Sequence, residues 1–297
     1  MTPQTRLNIP FGRPLIGEGE RVAVLEALSS PQLVHGPRAQ QFEQEFSEFL
    51  GPEASSTSVS SCTAGLHLIY MHLGIGPGDE VIVPAQTHVA TAHAVEITGA
   101  RPVFVDCDSS GNMDPSRVAE KVSHKTKAIC VVHYPGLPVD MPSIEEVVRP
   151  QGIFIVEDCA LAIGASYAGT ACGLIGDASS FSFYPAKHMT TGEGGMVVSK
   201  HPEVVASIAN LKAFGYDRTP QDRSVPGVYD IARLGLNYRM NELSAAIGLV
   251  QLQQLPTFLE RRRTNARTLR ELLADEPKLA LLPGGDGVRI HANYCVV

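Results

Sequence analysis

Apolar positions set the first expectations. Residues 19–29 and 37–50 carry them at helical spacing, and the second stretch puts Phe42, Phe46, Phe49 and Leu50 on one face. Beyond residue 55, short runs rich in β-branched residues alternate with helical patterns. The strands expected are 56–60, 80–83, 102–105, 128–133, 152–157, 178–183 and 195–199. The helices expected are 61–73, 87–98, 115–122, 143–148, 202–213 and 241–273. Such alternation builds βαβ units, so the expected fold class is α/β, a three-layer α/β/α arrangement with a mostly parallel central sheet. Pro256 lies inside the last helix, where a missing N–H kinks or ends it. The final stretch, 288–297, reads as a strand with nothing after it and so without neighbours to pair with. That leads to the expectation of a fragment, or of a strongly reduced small domain. The division expected is an N-terminal arm and large domain over 1–255, then the start of a truncated α+β domain over 256–297.

Composition narrows the function classes. The chain is 44% hydrophobic and 19% charged, an ordinary enzyme-like balance. A net charge of −7 implies no general affinity for nucleic acid. No apolar run is long enough to span a bilayer, and the start, Met1-Thr2-Pro3-Gln4-Thr5-Arg6, does not read as a signal peptide. Cys62, Cys107, Cys130, Cys159, Cys172 and Cys295 form no C-x-x-C pair. They read as reduced thiols of a cytoplasmic protein, with no metal site expected.

The candidate chemistry centres on Lys187, in Phe183-Tyr184-Pro185-Ala186-Lys187-His188-Met189-Thr190-Thr191-Gly192-Glu193-Gly194-Gly195. Upstream, Asp158 ends the apolar run Ile153-Phe154-Ile155-Val156-Glu157-Asp158. A strand-end carboxylate with a lone loop lysine matches the needs of pyridoxal 5′-phosphate (PLP). The amine forms a Schiff base with the aldehyde, and the carboxylate keeps the pyridine nitrogen protonated. On the pair alone, a solvated lysine and a helix-capping aspartate remain open. Aromatic and small neighbours, rather than charges, favour a lysine of lowered pKa.

The motifs extend further. They include Phe11-Gly12-Arg13-Pro14, Ser61-Cys62-Thr63-Ala64-Gly65-Leu66-His67-Leu68 and Pro84-Ala85-Gln86-Thr87-His88-Val89-Ala90-Thr91. They continue with Glu157-Asp158-Cys159-Ala160, the lysine loop, and Asn237-Tyr238-Arg239-Met240-Asn241-Glu242. Through these the chain resembles, nearly end to end, the sugar aminotransferases of the DegT/DnrJ/EryC1/StrS family, fold type I PLP enzymes. Members usually continue well beyond the position where this chain ends. The resemblance implies that Thr63 and Ala64 open a helix toward the cofactor phosphate, using free N–H groups and the positive dipole end. A simple helix cap is the plain alternative. Ser182 would offer its hydroxyl to the same phosphate. His88 would lie flat on the pyridine face, or stand as a helix-start histidine near a carbonyl. Asn237 would reach the phosphate of the neighbouring subunit, or be a turn asparagine after Gly235. The pattern departs at Leu161, where many members have Gln and where leucine cannot donate to the ring hydroxyl. Cys62 replaces the usual Gly before Thr63.

The implied activity is amino transfer from glutamate to a nucleotide-linked keto-sugar, making amino sugars for surface polysaccharides such as lipopolysaccharide. Lys187 would move the proton, with Asp158 holding the ring cationic. The implied assembly is a homodimer with composite sites. Two alternatives stand beside it. One is a PLP-dependent sugar dehydratase, in which a histidine takes the lysine's place. The other is a non-catalytic or regulatory PLP-binding relative.

Overall fold

The computed structural model describes residues 12–216, 225 and 228–295. Residues 1–6, Phe11 and positions 296–297 of the last expected strand lie outside the described residues. Two helices open the fold, α1 (Glu18–Leu28) and α2 (Pro37–Leu50). The alternating stretch follows as β1 (Ser55–Val59), α3 (Cys62–His72), β2 (Glu80–Pro84), α4 (Val89–Glu96), β3 (Arg101–Val105), β4 (Thr126–Val132), α5 (Met141–Val148) and β5 (Phe154–Asp158). Then come β6 (Ser166–Tyr167), β7 (Thr170–Ala171), β8 (Ala178–Ser182), β9 (Gly195–Ser199), α6 (Pro202–Leu211), α7 (Glu242–Leu273) and β10 (Arg289–Ile290).

The main sheet has seven strands in the order β1-β9-β8-β5-β4-β2-β3. Pairing is parallel from β3 through β2, β4 and β5 to β8. β9 alone runs antiparallel, to β8 on one side and β1 on the other. Parallel strands need coverage on both faces, and alternating side chains supply it. Val81, Val83, Cys130 and Val156 pack with Leu66, Ile69, Tyr70, Val95 and Ile208 of α3, α4 and α6. The intervening Ile82, Ile129, Val131 and Ile155 pack with Met141, Ile144 and Val148 of α5. Phe42 and Phe46 of α2 meet Phe181 and Phe183, with Leu252, Leu255 and Leu259 of α7 closing that cluster. Phe46 and Phe181 meet edge-on at 5.2 Å. The expected three-layer α/β/α sheet fold is therefore present.

Some expectations change. α7 runs through Pro256 without ending. The apolar positions on both sides, Leu252, Leu255 and Leu259, are buried, so tertiary packing carries the helix past the missing N–H. The stretch expected as a helix over 115–122 is two short 3₁₀ turns, with Asp114 capping Ser116 N at 3.0 Å. The last expected strand is short and has a partner. β10 pairs antiparallel with β6, whose other edge holds β7 in a hairpin. Ala168 and Gly169 turn that hairpin with φ 48° and 84°, the left-handed pair a two-residue turn requires.

Gly195 sits where the sheet touches the start of α3. An added Cβ would lie 2.7 Å from Cys62 N and from the Ser61 carbonyl carbon, and 2.8 Å from Phe181 O. All are backbone atoms and cannot rotate aside. Gly195→Ala is expected to cost about 1–3 kcal/mol through overpacking. Thermal denaturation will show a lowered Tm; an unchanged Tm would mean that the start of α3 shifts freely.

Candidate active site

Parallel strands bring their C-terminal ends to one edge, and open α/β sheets place their ligands there. β5 ends in Asp158, β8 in Ser182, and β1 runs into the N-terminus of α3. Asp158 is 5% exposed. Its Oδ2 accepts from Thr91 Oγ1 at 2.7 Å, and its Oδ1 accepts from Ala160 N at 3.1 Å. Thr91 is fully buried, and its hydroxyl also lies 2.7 Å from Thr87 Oγ1. Since Thr91 donates to the carboxylate, it accepts from Thr87. Cys62 Sγ lies 3.4 Å from Ser180 O and 3.9 Å from Asp158 Oδ1.

Lys187 is half-buried in a loop held closed by Phe183 N donating to Gly194 O at 3.0 Å and Thr191 N donating to Phe183 O at 3.0 Å. Burial lowers the Lys187 pKa below the ordinary lysine value, against the opposing pull of Asp158 and Cys62. The lysine amine and the carboxylate therefore share one electrostatic neighbourhood. Lys187 Nζ lies 5.1 Å from the centre of the Tyr294 ring. The next residue, His188, faces away from this role. It is buried, its Nε2 donates to Ala292 O at 3.1 Å, and burial pushes its pKa down to about 3.

Ser61 caps α3 by accepting from Ala64 N at 3.1 Å. Thr63 and Ala64 lie in the first turn, half-buried and buried respectively. Ser182 is buried, with its Oγ accepting from Tyr184 N at 3.4 Å. His88 is exposed and caps α4, its Nδ1 accepting from Ala90 N at 3.2 Å. Asn237 is exposed, and its Oδ1 accepts from Arg239 Nε at 3.0 Å. Its segment is fixed to the end of β1, where Ser60 N donates to Tyr238 O at 2.8 Å. Asn241 then caps α7, and Glu242 reaches the start of α2, accepting from Arg38 N at 2.9 Å and Ala39 N at 3.1 Å. Leu161 lies in the turn after Asp158, half-buried.

A model of the DegT/DnrJ/EryC1/StrS aminotransferase family matches residues 14–297. The chain belongs to this family. Among its relatives, the spore coat polysaccharide biosynthesis protein SpsC of Bacillus subtilis is 41% identical over 258 residues, covering 86% of this chain and 66% of that one. GDP-perosamine synthase of Escherichia coli O157:H7 is 40% identical over 257 residues, covering 86% and 68%. The chain thus spans about two thirds of the length of these curated relatives. A Streptococcus pneumoniae protein solved in its PLP-form superposes with a TM-score of 0.89 at 30% identity, covering 97% of this chain and 77% of that one. The GDP-4-keto-6-deoxymannose-3-dehydratase ColD shares the fold with a TM-score of 0.89 at 26% identity, covering 97% and 78%.

Enzymes of this family are PLP-dependent, and this chain's residues fit that group. A partly desolvated lysine amine, a buried carboxylate with both oxygens anchored, and a helix N-terminus meet at one sheet edge. Thr91 and Tyr294 were not singled out by sequence reasoning. Thr87 and Thr91 at i, i+4 on the expected 87–98 helix carried a signal, whereas nothing local linked Tyr294 to the lysine. His133, Glu157 and Cys159 cluster within 4.8 Å, all buried. The Glu157 oxygens are taken by His133 Nε2 at 2.9 Å and by the N–H groups of Gly173, Ile175 and Gly176 at 2.7–2.9 Å. This is a structural latch on the loop before β8.

Thr91→Val keeps the shape but removes the donor to Asp158. A hydrogen bond to a charged group contributes about 1.5–3 kcal/mol. The expected result is weaker PLP retention and turnover lowered roughly 10- to 100-fold, with Thr91→Ser close to the parent. Spectrophotometric PLP titration beside turnover checks this; equal retention in Thr91→Val would leave Ala160 N as the anchor that matters.

Proposed function

We propose that the whole protein moves an amino group from glutamate to a keto-sugar carried on a nucleoside diphosphate, supplying amino sugars for surface polysaccharides. The observation that carries this reading is the partly desolvated Lys187 amine beside the anchored Asp158. When bound, PLP supplies an electron sink for the substrate carbon that loses its proton. Lys187 would bind the cofactor and, once freed, would carry that proton, and burial lowers its pKa toward the neutral amine. Asp158, oriented by Thr91, would be the carboxylate that keeps the pyridine nitrogen protonated. The first turn of α3 at Thr63 and Ala64 and the Ser182 hydroxyl would hold the phosphate. His88, at the start of α4, would cover the ring face. Asn237 of the partner subunit would complete the phosphate site in a homodimer. The proposed division is a large domain over 1–255 and the start of a small domain over 256–297. Among the described residues no helix is long and apolar enough to cross a membrane. We place the enzyme in the cytoplasm, where its sugar nucleotides and glutamate are found.

The likeness to a dehydratase keeps a second reading in view. Lys187 favours transfer, since the alternative expected a histidine in its place. His188 does not substitute for it, being held to Ala292 O.

Borohydride treatment of the PLP-loaded protein is expected to fix the cofactor on the peptide containing Lys187, and Lys187→Ala to abolish both the adduct and glutamate consumption. A trapped peptide elsewhere overturns the assignment. Loss of water from a nucleotide keto-sugar without formation of 2-oxoglutarate would establish the dehydratase instead.

Mixed dimers test the composite site. Lys187→Ala and Asn237→Ala chains, each inactive alone, are expected to recover activity when co-assembled, because one hybrid site unites an intact lysine with an intact asparagine. Heterodimers that form without recovery would show each site to be built from a single chain.

A further inference from the structure

Asn237 is presented with a fixed polarity. Its Oδ1 accepts from Arg239 Nε, which can only donate, so the free end of the exposed amide is its NH2 group. Main-chain bonds hold this segment from two sides. Tyr238 N donates to Lys212 O at 3.0 Å, and Ala213 and Asn237 form an antiparallel bridge. On the other side, Ser60 N donates to Tyr238 O at 2.8 Å, and Val59 bridges Arg239. Residues 237–239 therefore lie between the C-terminal end of α6 and the end of β1. One side chain spans these two walls. Lys212, the residue that caps the end of α6, sends its ammonium back to β1 and α2. Its Nζ donates to Thr57 Oγ1 at 2.6 Å, Ser58 O at 2.7 Å and Glu43 Oε1 at 2.9 Å. Three N–H groups meet three acceptors, one of them charged. Glu43 Oε1 also accepts from Ser58 N and Ser58 Oγ, each at 2.7 Å. Only 14% of the Lys212 side chain and 22% of the Glu43 side chain are exposed, and Thr57 and Ser58 are buried. Charges this far out of water keep their geometry because leaving either one unpaired is costly.

We propose that Lys212 is a positioning residue that acts on the neighbouring subunit: locked onto Glu43, Thr57 and Ser58, it sets where Asn237 stands at the partner's phosphate site. The inference rests on the composite-site reading above and adds the residue that fixes the crossing segment. The Lys212 ammonium is consumed by its three acceptors, so its effect passes through the main chain. Its carbonyl holds Tyr238, one residue from Asn237, and the next residue bridges Asn237 itself. Without the ammonium, the end of α6 loses its side-chain tie to β1 and α2, and the segment loses a fixed wall. A purely structural role would act instead within the chain, since Thr57 and Ser58 lead into Ser61 and the start of α3. The two routes damage different sites of a dimer.

Lys212→Met keeps the aliphatic stem and removes the charge. In the cofactor-free protein, hydrogen exchange read by mass spectrometry is expected to quicken roughly tenfold or more for the peptide holding Tyr238, with peptides from β8 and β9 unchanged. The variant homodimer is expected to retain PLP roughly tenfold more weakly than the parent. Co-assembly with Lys187→Ala chains decides the route. In that mixed dimer, one site joins the intact Lys187 and α3 of the Lys212→Met chain to an Asn237 held by an intact Lys212. Turnover is expected to return to the level of the Lys187→Ala and Asn237→Ala pair. If that reference pair recovers and the Lys212→Met pair does not, Lys212 acts within its own chain and the inference is overturned. Failure of both pairs sinks the composite-site reading, and the inference with it. Unchanged exchange at the Tyr238 peptide overturns the inference whatever the activities. Lys212→Gln takes the place of Lys212→Met if the latter does not dimerise. Loss of assembly in both would make Lys212 a residue of the fold alone and likewise overturn the proposal.

Discussion

A carboxylate buried at the end of a central strand persists only where its charge is answered, and the arrangement around Asp158 follows from that constraint. Thr91 donates to one oxygen and Ala160 N to the other. Thr87 in turn fixes the Thr91 hydroxyl. The start of α4, the turn after β5 and the start of α3 are thereby drawn to one point. The Lys187 amine feels the Asp158 charge from the neighbouring loop. Neutralising Asp158 would remove the reason for that convergence.

The preceding residue does complementary work on the opposite face of the same strand. Successive side chains alternate, so Glu157 points away from Asp158. It gathers His133 and the backbone N–H groups of residues 173, 175 and 176. This latch sets the loop that leads into β8, and β8 carries Ser182 toward the lysine loop. Adjacent carboxylates thus divide the labour: Asp158 gathers Thr91 and the turn after β5, and Glu157 fixes the loop before β8.

Much of the fold was legible in the chain. Alternating apolar runs anticipated the strands of the main sheet and nearly all its helices, because strand and helix periods are local properties. The exceptions were also local in cause. The 115–122 stretch forms two short 3₁₀ turns, the first capped by Asp114, instead of a helix. The two-residue strands of the β6–β7 hairpin were too brief to show a period. Pro256 pointed to a break, yet buried leucines on either side held the helix through it.

The site divides along the same line. The sequence by itself determined which residues carry distinctive chemistry: a lone lysine among aromatic and small neighbours, a strand-end aspartate, and a Ser-Cys-Thr-Ala run able to open a helix. Side-chain chemistry and short-range spacing suffice for that. Only the tertiary structure decided that Thr91 anchors Asp158 across 67 residues of chain, that His188 turns to Ala292, and that Lys212 reaches Glu43 and Thr57. It also gave the 289–290 strand a neighbour in a hairpin formed far upstream. These outcomes depend on which strand ends and helix starts the sheet brings together, a consequence of long-range packing that no local pattern encodes.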